Sequence, residues 1–522
     1  MSRSPHPLLL LTMMLPLGSA SAALPNEGQV CRAEEAALDP YAYLRALTLD
    51  LAGRLPTVAE LAALDGKTEV PGEMIDALLA SEDFVGRAVR FHRSVLWNNV
   101  SNVDLMNFQA SFGITPEGLY WRRTTGFIYR GDNVPCSNTP ATFAPDGSPS
   151  FTTDAGGIRR EGYVMVAPYW DPAHPVKVCA FDAQIAEVSP RGTRCRTTDG
   201  FTDPGCGCGP NLDRCRLSGA HNAKVTGAMR EDVDRRVAAL IREDRPYVEL
   251  FTSRRAFVNG PLVHYFRHQA QLPAGATLMP LGVDLDQLPE LPWTDESFTE
   301  IELSPDHAGV LTSMSYLLRF QTNRARAAHF FDAFLCSPLS PPPGGIPLDP
   351  TERPTPNLQK RDGCKYCHAL LEPTGAHWAR WTERGAGFLA PDRFPALRED
   401  CLRCGQSGVL CSPECRLYYL TQSLSAEDRP YFGMLNAYAF LRPEHRKNAE
   451  LGPKMLIEET VVDDRFPRCT AQRATQNLLG RPLSADEALG LGEAARRFVN
   501  TGMSYRAMIK AIVTSPVYRR VR

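Results

Sequence analysis

Fifteen cysteines spread over 522 residues constrain this chain more than any other feature. So many thiols are hard to keep reduced in large numbers without purpose, and in an oxidising compartment they become covalent staples between distant segments. The first residues predict that compartment. Met1 to Ala23 carries Arg3 and His6, an apolar run from Leu8 to Leu17, then Ser19-Ala20-Ser21-Ala22. This is the charged, apolar and small-residue succession of a secretory signal, with cleavage expected after Ala22 and a periplasmic or secreted destination. Cys31 lies nine residues beyond the cut, too far for a lipid-anchor site. No later stretch reaches the roughly 20 apolar residues of a membrane-spanning helix. An odd number of cysteines also means that pairing within the chain cannot use them all.

A repeat frames the sequence. Leu51-Ala-Gly-Arg-Leu-Pro-Thr57 with Glu60, followed by Ile75 to Phe84, is matched by Leu479-Gly-Arg-Pro-Leu-Ser484 with Glu487, followed by Ile509 to Tyr518. Each copy predicts a Gly-Arg turn and a capping box, in which the Thr57 or Ser484 hydroxyl meets the N3 amide and Glu60 or Glu487 reaches back. A second helix follows in each, with Met74, Leu78 and Leu79 or Met508, Ile512 and Val513 on one face. The expected fold class is therefore mainly α and multi-domain. A signal (1–22) precedes an N-terminal helical domain (35–109), a Cys-, Gly- and Pro-rich irregular insertion stapled by disulfides (110–225), with short extended runs such as Gly162 to Ala167, and a helical domain (226–336). A Pro-rich connector (337–357), a small Cys-rich segment (358–450) and a C-terminal helical domain (451–522) complete the chain.

After the connector comes Cys364-Lys-Tyr-Cys367-His368. Two thiols three residues apart at a helix start can each add to one vinyl group of a single porphyrin, and the adjacent histidine then ligates the iron as proximal ligand. Random placement of 15 cysteines and 11 histidines over 522 positions yields roughly 0.01 such matches. The expectation is one covalent haem c on Cys364 and Cys367 with His368 on the iron, which makes 358–450 a small cytochrome-c-like haem-binding segment. The competing readings of the motif are a disulfide between the two cysteines or half of a zinc site.

The residues around the motif resemble a known family. Leu317 to Cys336, Pro341-Pro-Pro-Gly344 and Cys364 to Gly375 are similar to the planctomycete and myxobacterial cytochrome-c-like proteins, which join helical domains of unknown function to a single haem segment. Leu49-Asp-Leu-Ala-Gly-Arg-Leu-Pro-Thr57, Leu79-Ala-Ser81, Phe257 to Leu262, Leu479-Gly-Arg481 and Thr514-Ser515 resemble its other parts. The resemblance covers about two thirds of the chain, misses the Cys-rich insertion, and implies haem c and electron transfer to an unidentified redox partner protein. The chain departs from the family after the motif. Glu372-Pro-Thr-Gly375 stands where the family has Asp-Pro-x-Gly, and Ala379-Arg-Trp-Thr382 replaces an acidic element.

For the sixth iron position the candidates are Met434 and Met455, with His377 and His445 as bis-histidine alternatives and an open, five-coordinate iron as a third. Trp378 and Trp381 follow the motif at helical spacing, for a porphyrin edge or for ordinary core packing. Cys401, Cys404, Cys411 and Cys415 are dense enough for a zinc site, but oxidation favours two disulfides. Cys206 and Cys208 are too close in sequence to bridge one another, so each is expected to pair farther away. His264 and His268 share an i, i+4 face without the catalytic acidic residue, which reads as a polar surface pair rather than a metal site. A net charge of −2, from 57 basic and 59 acidic residues, gives no reason to expect nucleic acid, and no phosphate loop or serine elbow occurs. Three classes stay open: an electron-transfer protein, a disulfide-rich envelope structural or interaction protein without haem, and a haem oxidoreductase with an open iron. Oligomeric state is not legible.

Overall fold

The computed structural model describes residues 37–100, 103–106, 108–123, 136–197, 199–217, 219–270, 272, 280–340, 357–423 and 425–520. The signal, Cys31 and residues 341–356 of the Pro-rich connector lie outside them. The chain is mainly α, about 48% helix and 10% strand. No described helix is long and apolar enough to cross a membrane.

The two copies of the repeat adopt the same local structure. Helices end at Gly53 and Gly480, both in the left-handed region at φ 71° and 67°, a conformation glycine reaches without a Cβ penalty. Arg54 then donates two hydrogen bonds to Glu60, both 2.8 Å, and Arg481 donates two to Glu487 at 2.8 and 2.6 Å. Both capping boxes form, at the helices Val58–Ala62 and Ala485–Gly490. Ser81 and Ser515 likewise cap helices that begin Glu82–Leu96 and Pro516–Arg519. The copies pack against each other: the Tyr43 hydroxyl donates to the Val513 carbonyl at 2.7 Å, and the Tyr518 hydroxyl to Asp50 at 2.7 Å. Leu78, Leu79, Met508, Ile512 and Val513 are buried as their spacing predicts.

A long helix, Ala220–Arg242, runs alongside Glu82–Leu96 and a second helical layer, Asn323–Leu335 and Arg465–Leu479, completes the centre. Apolar residues from Tyr43 to Tyr518 form one contiguous core, so the described residues of the stretches 35–109, 226–336 and 451–522 are packed together around shared side chains. Burial of this apolar surface is the principal stabilising force.

The insertion is less irregular than its composition suggests. It contains a mixed five-stranded sheet. Its strands are β1 (Ser111–Ile114), β2 (Leu119–Arg122), β5 (Tyr163–Val166), β6 (Val176–Cys179) and β7 (Arg216–Leu217), in the order β5-β6-β2-β1-β7. A separate ribbon pairs β3 (Thr152–Thr153) with β4 (Arg159–Arg160). Such short strands bring little hydrophobic periodicity to the sequence; the extended run Gly162 to Ala167 contains β5, and the other four escape a pattern reading. Gly113 lies opposite Trp121, and a Cβ there would stand 2.7 Å from the indole. Three disulfides hold the region: Cys136–Cys179, Cys195–Cys206 and Cys208–Cys215. Cys206 and Cys208 thus each pair with a more distant partner.

Three more disulfides act elsewhere. Cys401–Cys415 and Cys404–Cys411 join the helices Glu399–Ser407 and Pro413–Tyr418 into a small lobe with its own core. Their sulfurs are bonded pairwise, the arrangement favoured over zinc. Cys336–Cys469 links residues 133 apart and ties the end of Asn323–Leu335 to Arg465–Leu479. It closes a covalent loop around the entire 357–450 segment. Twelve cysteines are therefore paired, Cys364 and Cys367 are free thiols, and Cys31 is the fifteenth.

Candidate functional site

Cys364 is the N-cap of the helix Lys365–Gly375. Arg361 and Asn357 accept the amides of the preceding turn, and the His368 amide donates to the Cys364 carbonyl at 3.0 Å. The motif is thus helical from its first cysteine. Cys364, His368, Leu371, Glu372 and Gly375 recur at i, i+3 and i+4 spacing and share a face, while Tyr366 and Leu370 point outward, 67% and 49% exposed. Both thiols are partly exposed, and Cys367 also touches the main core.

The histidine is held by a carboxylate. His368 Nδ1 lies 2.7 Å from Glu372 Oε1, one turn along the helix, and the same oxygen accepts from Arg324 Nε at 2.6 Å. Arg324 sits in the first turn of Asn323–Leu335. Glu372 and Leu371 line a cavity of about 420 Å³, within the size range of small-molecule and cofactor sites. Its other walls come from Trp381 to Arg384, from Tyr418 and Leu420 of the two-disulfide lobe, and from Leu435 to Phe440.

A buried arginine shapes the floor. Arg326 is fully buried and donates to Asn323 Oδ1 and to the carbonyls of Leu317, Phe320, Trp381, Thr382 and Gly385, at 2.8 to 3.3 Å. Burial pulls its pKa down to about 10, so it remains a cation at neutral pH. Glu383 in turn accepts the Asn323 amide at 2.8 Å, at the start of that helix. The 381–385 turn is therefore fixed against the helix that supplies Arg324.

The remaining candidates are dispersed. Trp378 is a core residue whose indole N–H donates to the Leu311 carbonyl at 3.0 Å, whereas Trp381 lines the cavity. His377 is buried, and its Nδ1 bonds the Gly452 carbonyl at 2.8 Å, where the helix Pro443–Val461 breaks at Gly452 and Pro453. His377 thus supports a kink, and burial lowers its pKa. Met455 is half-buried on that same helix, and His445 lies in its first turn. Met434 packs against the two-disulfide lobe; its carbonyl accepts the Leu420 amide at 2.9 Å, and Leu420 and Leu435 line the cavity. Among the described residues the lining includes none of Met434, Met455, His377 and His445, nor Cys364, Cys367 and His368, which precede Leu371 and Glu372 on the bordering helix.

His264 and His268 are not a surface pair. His264 is buried and stacks on Tyr169 with ring centroids 3.8 Å apart, and His268 Nδ1 faces Asp213 at 3.2 Å. The Tyr169 hydroxyl meets His221 at 2.7 Å, and Trp293 packs on both histidines, His221 and His264. Desolvation pushes His221 and His264 down to about 3, so both are neutral imidazoles that join the sheet insertion to the helical core. The sequence spacing was right for one face but could not tell which way that face turns.

Sequence reasoning singled out the motif but gave no role to Glu372, Arg324 or Arg326. For Glu372 a signal existed, since it lies four residues after His368. For the arginines none did, because their partners are carbonyls and carboxylates far along the chain. Comparison of the chain with family models, with curated proteins and with solved structures finds no match.

Proposed function

We propose that this is an exported electron-transfer protein carrying one haem c on Cys364 and Cys367, with His368 as proximal ligand. One observation carries the reading: in a chain where six disulfides consume twelve cysteines, the two free thiols of the described residues are the motif pair, at the start of a helix whose later residues Leu371, Glu372 and Gly375 line a cavity. The residues present fit the group. Two thiols are available for thioether bonds, and the imidazole has its Nδ1 engaged by Glu372, which leaves Nε2 for a metal. The cavity wall offers Trp381 and Leu371 as apolar contacts beside polar side chains. Haem c supplies a one-electron iron couple when bound. The protein's part is to fix the histidine through Glu372 and Arg324, and to hold the cavity floor through Arg326. The N-terminal signal supports the same reading, because haem attachment to such motifs follows export. A redox partner protein is implied.

The test is expression with the native signal in a host equipped for cytochrome c maturation, followed by a pyridine haemochrome spectrum and intact mass. One haem per chain, lost in Cys364→Ser/Cys367→Ser, is the expected result. An unmodified mass with a Cys364–Cys367 disulfide would overturn it and mark a disulfide-rich envelope protein.

A further inference from the structure

His368 does not merely lie near a carboxylate. Glu372 Oε1 is shared by two donors, His368 Nδ1 at 2.7 Å and Arg324 Nε at 2.6 Å, and these come from separate helices. A histidine that ligates a metal through one ring nitrogen usually donates its other N–H to an acceptor, which fixes ring orientation and raises donor strength at the metal-facing nitrogen. A full carboxylate does so more strongly than a neutral carbonyl, because charge-assisted hydrogen bonds are stronger. A guanidinium on the same oxygen withdraws part of that charge.

We propose that Glu372 is the positioning residue of His368 and that Arg324 sets how strongly Glu372 acts on it; the proposal rests on the haem reading above. Anionic pull on the Nδ1–H makes Nε2 a better donor and favours ferric over ferrous iron. Arg324 opposes it. The arginine's own position is fixed by its helix, which Arg326 pins to the 381–385 turn and Cys336–Cys469 pins to Arg465–Leu479. The ligand strength of His368 is thereby tied to the packing of the haem segment on the main core. An ordinary i, i+4 pair on a helix surface would have no such consequence.

Substitutions at the two positions should move the redox equilibrium in opposite directions, which general damage to the fold would not do. The full-length protein, matured with haem, is titrated spectroelectrochemically beside Glu372→Gln, Glu372→Asp and Arg324→Gln, with haem content of each measured first. Glu372→Gln is expected to raise the ferrous to ferric ratio at fixed potential about tenfold, which is about 59 mV for a one-electron couple. Arg324→Gln is expected to lower it about threefold, and Glu372→Asp to fall between wild type and Glu372→Gln. Should Glu372→Gln fail to mature, the sign of the Arg324→Gln shift decides. Full haem content with ratios unchanged in every variant that matures, or shifted the same way by both substitutions, overturns the role of Glu372 and leaves the haem reading intact. A wild type without haem overturns that reading and this proposal with it.

Discussion

Arg326 donates a hydrogen bond to the Thr382 carbonyl at 2.9 Å from a site with no solvent exposure, across 56 residues of sequence. One guanidinium thereby satisfies carbonyls on both sides of the cavity floor, which no other side chain has the donor count and planarity to do. Arg326→Met is expected to leave those carbonyls buried without a donor and to cost about 3–5 kcal/mol. Arg326→Lys keeps the charge with three donors at one nitrogen and should lose less. Denaturant unfolding of both variants checks the order; equal stability of Arg326→Met and wild type would refute it.

Stability should fall steeply in mild acid. Burial depresses His92, His307 and His329 to about 4, and His221 and His264 to about 3, against 6.5 for a free imidazole. Below pH 6.5 the unfolded chain takes up protons at these sites while the folded chain does not. Each histidine therefore removes up to about 1.4 kcal/mol per pH unit down to its folded pKa. Glu60 and Glu487, held near 2 by hydrogen bonds from Arg54 and Arg481, add a second loss below about pH 4.5. Thermal melts at pH 7, 6, 5 and 4 should show Tm dropping progressively from pH 6.5. A flat profile would contradict the burial of these imidazoles as neutral groups.

The Cys336–Cys469 bridge encloses a loop of 133 residues. Chain-entropy reasoning gives a stabilisation of roughly 4–5 kcal/mol for a loop this long, since the cross-link restricts mainly the unfolded ensemble. The Cys336→Ala/Cys469→Ala double variant should lose a stability of that order in guanidinium titration, more than removal of Cys404–Cys411, whose separation is only 7. The reverse ranking would show that the short bridge organises its lobe beyond its entropy.

If His368 carries a haem iron as proposed, Met434 is the better placed of the two candidate methionines, although neither lines the cavity itself. Leu420 and Leu435, which flank Met434 in the pairing of that segment, line the cavity, whereas Met455 belongs to a helix whose residues do not. Met434→Ala is accordingly expected to change the spin state and midpoint potential of the matured protein, and Met455→Ala to leave both unchanged. Optical spectra of the two variants decide. A change in Met455→Ala alone would reverse the assignment, and none in either would point to a histidine or an open site.

What could be read in advance was what is local. The two capping boxes, Thr57 with Glu60 and Ser484 with Glu487, form as expected because a helix start is specified by residues three apart. Cys364, Cys367 and His368 could be singled out for the same reason, being one helical turn. Of the five-stranded sheet only β5 is legible, in the extended run Gly162 to Ala167, since strands of two to four residues leave almost no period to detect. His264 was placed on the surface because spacing reports which residues share a face and not whether that face meets solvent or Tyr169.

The sequence by itself determined the helical class, the framing repeat, the excess of cysteines destined for pairing and the motif that sets two of them apart. Tertiary structure alone decided which cysteines pair, that residues from both ends of the chain share one core, and that Arg324 and Arg326 reach Glu372 and the 381–385 turn. The division follows from range: hydrogen bonds within one turn are encoded by neighbours, while a disulfide over 133 residues or a guanidinium among distant carbonyls exists only once the intervening chain has folded back.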